Sequence, residues 1–201
     1  MQKILVWDWP VRIGHWLMVG GFVLAWLTSE SETFRLLHVW AGGTVLAVAA
    51  FRLPWGLIGS RYARFAHFVR PPRAVASYLG SLLRLQPDRH VGHNPAGGWA
   101  IVALLGLALL TGISGWATYN ELAGHWLEEL HEGLASAMLT VVIVHVAGVV
   151  SGSLVHGENL VRAMLTGRKD GSQAEAIPSA RPFASLALLA WIIAAGWWLA
   201  S

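Results

Sequence analysis

Residues 131–157, HEGLASAMLTVVIVHVAGVVSGSLVHG, decide how the rest of the chain reads. From Gly133 to Gly157 no Asp, Glu, Lys or Arg interrupts the apolar run. About 20 such residues in a helix cross the roughly 30 Å of hydrocarbon in a bilayer. His145 stands inside this run, and an ionisable side chain at that depth is costly and usually functional. His131 lies fourteen residues earlier, about 21 Å of rise and nearly four whole turns. The two rings therefore project from roughly one face, one toward each end of the span.

Working outward, four more stretches qualify, the first two near the short end: Arg12 to Thr28, Phe34 to Phe51, a helix within Val91–Asn120, and Phe183 to Ser201. The helix of Gly133–Gly157 is expected to extend back through His131. Composition agrees, with 55% hydrophobic and 12% charged residues among 201, where a soluble domain carries roughly one quarter charged. The fold expected is an all-α integral membrane protein, a four-helix transmembrane bundle plus a fifth C-terminal transmembrane helix. The bundle takes residues 1–168 and the last helix 183–201, joined by a cytoplasmic linker, 169–182, that is Gly- and Ser-containing and expected to be mobile near Asp170 to Ala180. The connection from Arg52 to Pro95 holds seven arginines and the Pro71-Pro72 pair, with a short interfacial helix expected over Arg73–Leu83.

Of the 14 Lys and Arg residues, 13 lie at the N-terminus, between Arg52 and Pro95 or in the connection from Glu158 to Arg181, and Arg35 is the exception. By the positive-inside rule the N-terminus is cytoplasmic, and five crossings put the C-terminus on the periplasmic side of a bacterial inner membrane. A basic excess distributed this way orients a protein in lipid and describes no nucleic-acid surface. Trp7, Trp9, Trp26, Trp55, Trp99, Trp116 and Trp126 fall near helix ends, the usual interfacial placement. The absence of cysteine excludes disulfides, iron-sulfur clusters and covalent C-x-x-C-H haem attachment.

Nine histidines in so apolar a chain need an account. His15 sits about one turn inside the inner end of the first helix, and His38 about one turn inside the outer end of the second. With the chain running inward through the fourth helix, His131 shares the outer level with His38 and His145 the inner level with His15. Facing neutral imidazoles are the standard means of holding a b-type haem in a bundle core. Two tiers of paired histidines therefore point to two non-covalent haems b, each held by two histidines, stacked across the membrane. His156 matches His145 in helical phase, but about 37 Å of helix from His131 places it at the cytoplasmic surface. His67, His90 and His125 read as loop or interface residues. Gly20, Gly21, Gly42, Gly43 and Gly148 lie near these histidines and either leave room for a flat macrocycle or serve close helix packing. Arg12, Arg52, Arg61 and Arg64 lie at the inner rim, where guanidinium groups can pair haem propionates, though topology accounts for most of them. Arg35 is the candidate for the outer haem.

The chain resembles the bacterial cytochrome b561 family, in particular the b-type cytochrome subunit associated with nickel-iron hydrogenases, over about residues 5 to 168. The resemblance rests on Pro10-Val11-Arg12-Ile13-Gly14-His15-Trp16, Arg52-Leu53-Pro54-Trp55-Gly56, Ala63-Arg64-Phe65, Gly92-His93-Asn94-Pro95 and the spacing of His131 and His145. It implies a four-helix core with two haems held by histidines on helices one, two and four, and exchange with a membrane quinone. Similarity to the cytochrome subunit of membrane formate dehydrogenase implies a quinone site beside the cytoplasmic haem, near His93, Asn94 and His145. The other use of Asn94 is as an Asn-Pro cap for the third helix. The fifth helix departs from the four-helix pattern.

The function expected is an electron-transfer component rather than a stand-alone enzyme. It would link a periplasmic redox partner, such as a dehydrogenase, hydrogenase or c-type cytochrome, to the quinone pool. The alternatives are a self-contained quinone-linked oxidoreductase acting on a small species such as superoxide, and a non-redox transporter whose histidines bind metal or relay protons.

Overall fold

A computed structural model describes residues 2–84, 88–122 and 124–200 of the chain, the last three without their side chains. The first long helix, α1 (Trp9–Thr28), begins where the Asp8 carboxylate accepts the Val11 N–H at 2.9 Å and Pro10 occupies the first turn. A 3-10 turn, Glu32–Phe34, reverses the chain into α2 (Arg35–Ile58). The sequence suggests an end at Phe51, but α2 runs on to Ile58 with Pro54 inside it. After the short α3 (Phe65–Phe68) and α4 (Pro72–Leu83) come α5 (Pro95–Tyr119) and α6 (Trp126–His156). Gly157 ends α6 at φ +62°, the left-handed conformation that closes a helix most cheaply at glycine.

The chain is a multi-pass helical membrane protein, in which α1, α2 with its preceding turn, α5 and α6 are each long and apolar enough to cross a bilayer. They pack in series, α1 on α2, α2 on α5 and α5 on α6. Small residues permit the close approaches. A Cβ on Gly21 would lie 2.9 Å from Val45 Cγ2, and one on Gly112 would lie 2.7 Å from Leu46 Cβ. Val45, Ala49, Leu105, Ala108 and Met138 form the buried core of this layer. Among the described residues α6 makes no extensive backbone approach to α1, so the series does not close into a tight ring.

The C-terminal helix α8 (Pro182–Ala200) lies against α2 and α1. Leu188 is fully buried there, and the Trp191 indole donates to Ala47 O at 2.8 Å. Its apolar part, Pro182–Trp197, is shorter than the four spans.

At the end of the bundle that holds the N-terminus, β1 (Gln2–Leu5) pairs antiparallel with β2 (Arg168–Gly171), Gln2 opposite Gly171 and Leu5 opposite Arg168. The helix α7 (Leu160–Thr166) leads into β2. Where the sequence reads as a linker from residue 169, the structure instead carries a strand and a 3-10 turn, Gln173–Glu175. That turn is held by Ser172, whose N–H and hydroxyl donate to Glu175 Oε2 at 2.9 and 2.8 Å. Ile4, Val6, Trp7, Val11, Tyr62, Ala63 and Ile177 form a second core beneath this cap. Trp7 and Trp55 therefore depart from an interfacial role. Trp7 is buried in that core, and the Trp55 indole donates to the buried Asp8 carboxylate at 3.2 Å.

Candidate functional site

His38 stands in the first turn of α2, and its Nδ1–H donates to Ala25 O of α1 at 2.8 Å. His131 stands in the second turn of α6, and its Nδ1–H donates to Thr111 O of α5 at 2.9 Å, with Ser114 Oγ at 3.3 Å from the same nitrogen. Its ring lies over Gly115, where a Cβ would fall 2.7 Å from Cε1. The two rings face each other with centroids 6.2 Å apart and planes at 81°. Among the described residues neither Nε2 has a hydrogen-bond partner. Tethering of one ring nitrogen to a carbonyl fixes the tautomer and leaves the other as a ligand, the usual arrangement of metal-bound histidine. Two opposed imidazoles each about 2 Å from one metal ion would have centroids about 6 Å apart, which is the spacing of this pair.

His38 docks at the level of Ala25, ten residues from His15, which is about 15 Å along α1. At that second level the His15 ring stands edge-on to Trp16 with centroids 5.1 Å apart, and its Nδ1 is buried without a partner. His145 is half-buried on α6. Among the described residues these two rings make no direct contact. His93 is wedged between Trp7 (centroids 4.5 Å) and Phe68 (4.9 Å) with its own Nδ1 buried and unpaired. Burial above all, then Arg52, Lys169, His145 and His15, pushes the His93 imidazole down to about 3. His93 is thus neutral at physiological pH and free to donate or accept a hydrogen bond. Beside it, Arg52 donates from Nη2 to Ala63 O at 2.8 Å while its buried Nη1 has no partner.

The remaining candidates fall elsewhere. Arg12 lies over the Trp9 ring at 4.2 Å and donates to Met164 O at 3.3 Å and to Leu165 O, closing the end of α7. Arg35 lies 5.5 Å over the Tyr119 ring. Asn94 caps α5, its Oδ1 accepting the Gly97 N–H at 2.7 Å, and its amide nitrogen remains to donate to another partner. His156 meets the Tyr78 hydroxyl at 3.4 Å, and the exposed His125 meets Glu128 at 2.9 Å. A Cβ on Gly20, Gly42 or Gly148 would meet nothing within 4 Å, so these glycines, unlike Gly21, do not serve helix packing. Among the described residues no three His, Asp or Glu side chains converge as a bare metal ion would need.

Sequence reasoning missed the two carbonyl tethers and Gly115. Gly115 was within reach of it: four residues before the end of α5, it sits across the hairpin from His131, five residues into α6.

The profile of the family described as prokaryotic cytochrome b561 matches residues 6–167. Among curated relatives, a probable Ni/Fe-hydrogenase B-type cytochrome subunit of Rhodobacter capsulatus is 25% identical over 83% of this chain and 81% of its own length. Its counterpart in Rhizobium leguminosarum bv. viciae is 25% identical over 84% and 89%. A probable Ni/Fe-hydrogenase 1 B-type cytochrome subunit of Escherichia coli K12 is 29% identical over 58% and 60%. No solved structure matches the chain.

Proposed function

The chain belongs to the prokaryotic cytochrome b561 family of membrane b-type cytochromes in electron transfer, and from that premise we propose that it carries electrons across the membrane between a periplasmic redox partner and the quinone pool. The hydrogenase-associated names of its relatives support a redox partner, and a dehydrogenase, hydrogenase or c-type cytochrome would fill that place. His38 and His131 would hold one haem b and His15 and His145 a second. Haem with two imidazole ligands supplies one-electron exchange with no open coordination position.

The observation that carries this proposal is the outer pair. Two rings from different helices stand 6.2 Å apart, each oriented by a carbonyl on its Nδ1. The inner pair rests on the matched level, the unpaired Nδ1 of His15 and the open space at Gly20 and Gly148. Arg35 would meet an outer propionate. At the inner level Arg52, with Nη1 free, is better disposed for a propionate than Arg12, whose nitrogens already hold carbonyls. A quinone beside the inner haem would take hydrogen bonds from His93 and from the Asn94 amide nitrogen. The 13 basic residues of the N-terminus and of the two connections that would share its side support a cytoplasmic N-terminus. α8 would then be a fifth crossing, its indole at Trp191 anchored on α2.

The test is spectroscopic. His38→Ala and His131→Ala are expected to remove the same haem from the purified chain, and His15→Ala and His145→Ala the other. Loss of one spectral species by both His15→Ala and His38→Ala refutes the two tiers. A purified chain without Soret absorption refutes haem altogether.

A further inference from the structure

Between α3, α4 and the cap, at the end of the bundle that holds the N-terminus, lies a cleft of about 460 Å³. Arg61, Arg70 and His67 line one part of it, and Tyr62, Ser77 and Tyr78 supply polar side chains along its walls. Among the described residues neither Arg61 nor Arg70 has an ion-pair or hydrogen-bonded partner for its guanidinium. Arg61 rests 5.4 Å over the Tyr62 ring. Neither of the cleft's two acids is in ion-pair contact with them, although Glu175 feels the charge of Arg61 at longer range. Glu175 is bound to the N–H and hydroxyl of Ser172, and Asp88 lies toward His90, whose protonated form it favours. Like charges are therefore gathered in a preformed concavity. Burial, then Arg61, Arg70 and Arg64, hold the His67 imidazole below its ordinary value.

The depth of the cleft narrows its occupant. Trp99, in the first turn of the spanning helix α5, donates its indole N–H to Arg70 O at 2.8 Å, which fixes Arg70 at the level where tryptophans mark the headgroup region. On the face of α4 turned away from the cleft, Leu79 and Leu83 are exposed, as a helix lying at the lipid surface would have them. We propose that this cleft binds the phosphate headgroup of an anionic phospholipid, between Arg61 and Arg70. The site needs neither haem nor a redox partner, but His93, which the proposed function gives to the quinone, lies in the same lining, so occupancy is read by lipid binding and not by activity.

Native mass spectrometry of the purified full-length chain, with haem retained, measures the binding of added phosphatidylglycerol, phosphatidylcholine and inorganic phosphate. Phosphatidylglycerol is expected to be retained over phosphatidylcholine and not displaced by millimolar phosphate. In R61Q/R70Q, loss of two basic contacts is expected to weaken that retention about 30-fold. R73Q/R84Q removes the same charge outside the cleft and should leave retention within about threefold. Equal retention of the two lipids overturns the proposal, as does equal loss in both double variants. Displacement by phosphate makes the site one for a free anion and overturns its assignment to lipid. Should R61Q/R70Q fail to fold, the wild-type comparison of the two lipids decides alone.

Discussion

Alanine at Gly115 would put a methyl group where the His131 imidazole now lies. The Cβ would stand 2.7 Å from Cε1 and 2.9 Å from Nδ1, whereas ordinary contact begins at 3.4 Å, so the ring must withdraw by 3.4 − 2.7 = 0.7 Å. Withdrawal along the hydrogen bond to Thr111 O would stretch it from 2.9 to 2.9 + 0.7 = 3.6 Å, past the range in which it counts as one. Losing such an orienting contact typically weakens a metal–histidine site 10–100-fold, about 1.4–2.8 kcal/mol. The same substitution in a helix interior otherwise stabilises by up to about 1 kcal/mol. Gly115→Ala should therefore loosen one haem without weakening the apoprotein. Haem transfer to an excess of a soluble haem acceptor measures this. One haem is expected to leave 10–100-fold more readily, the same species that His38→Ala removes, while the other stays. Gly106→Ala on the same helix, where a Cβ meets nothing within 4 Å, should behave as wild type. A Gly115→Ala chain that keeps both haems as tightly as wild type, or releases both alike, refutes the role assigned to His131.

Two further predictions concern the cap. Lys169 and Glu158 form a buried pair at 3.2 Å, with side chains only 5% and 18% exposed. Lys169→Met should cost about 3–5 kcal/mol of stability, and adding Glu158→Leu should recover most of it; denaturant midpoints that fall further in the double variant contradict this. His93 is held neutral in the folded chain at about 3, below its ordinary 6.5, so the unfolded state binds its proton first. Its contribution is fully present above pH 6.5 and is lost as pH falls toward 3, with a slope of at most about 1.4 kcal/mol per pH unit. His67 and His90, also lowered chiefly by burial, act in the same direction. Thermal midpoints measured from pH 7.5 to 5 should fall with acid, and less steeply in His93→Gln. A rise toward acid would contradict the placement of His93.

The spans were legible because lipid makes the rule simple: a backbone without water must bond to itself, and length with low charge then identifies the helices. Their ends were less legible. Charge marks the limit of the hydrocarbon, not of the helix, so Arg52 suggests an end where α2 in fact continues to Ile58. The cap was not legible at all. Its two strands have four residues each and join positions 2–5 to 168–171, a pairing with neither length nor periodicity to announce it. A Gly-, Ser- and Pro-containing stretch lacking a core of its own reads as a linker, and Ile177 is buried only because Tyr62 and Trp7 reach it from elsewhere.

The site divides along the same line. Imidazoles show in a sequence because they are rare in apolar helices, and fourteen residues between His131 and His145 fix a common face by helix geometry alone. The groups that orient them do not show, since Ala25 and Thr111 act through carbonyls that every residue possesses. A carbonyl becomes specific only when the partner helix sets its height, so the tethers depend on how α1 meets α2 and how α5 meets α6. The arginines make the converse case. Arg12 and Arg52 look equivalent as inner-rim cations, but the end of α7 absorbs the first, and Ala63 takes one nitrogen of the second and leaves the other buried and free. Which cation remains for a ligand is decided by the cap: the carbonyls that absorb Arg12 lie 152 and 153 positions from it in sequence, whereas Ala63 is only 11 from Arg52.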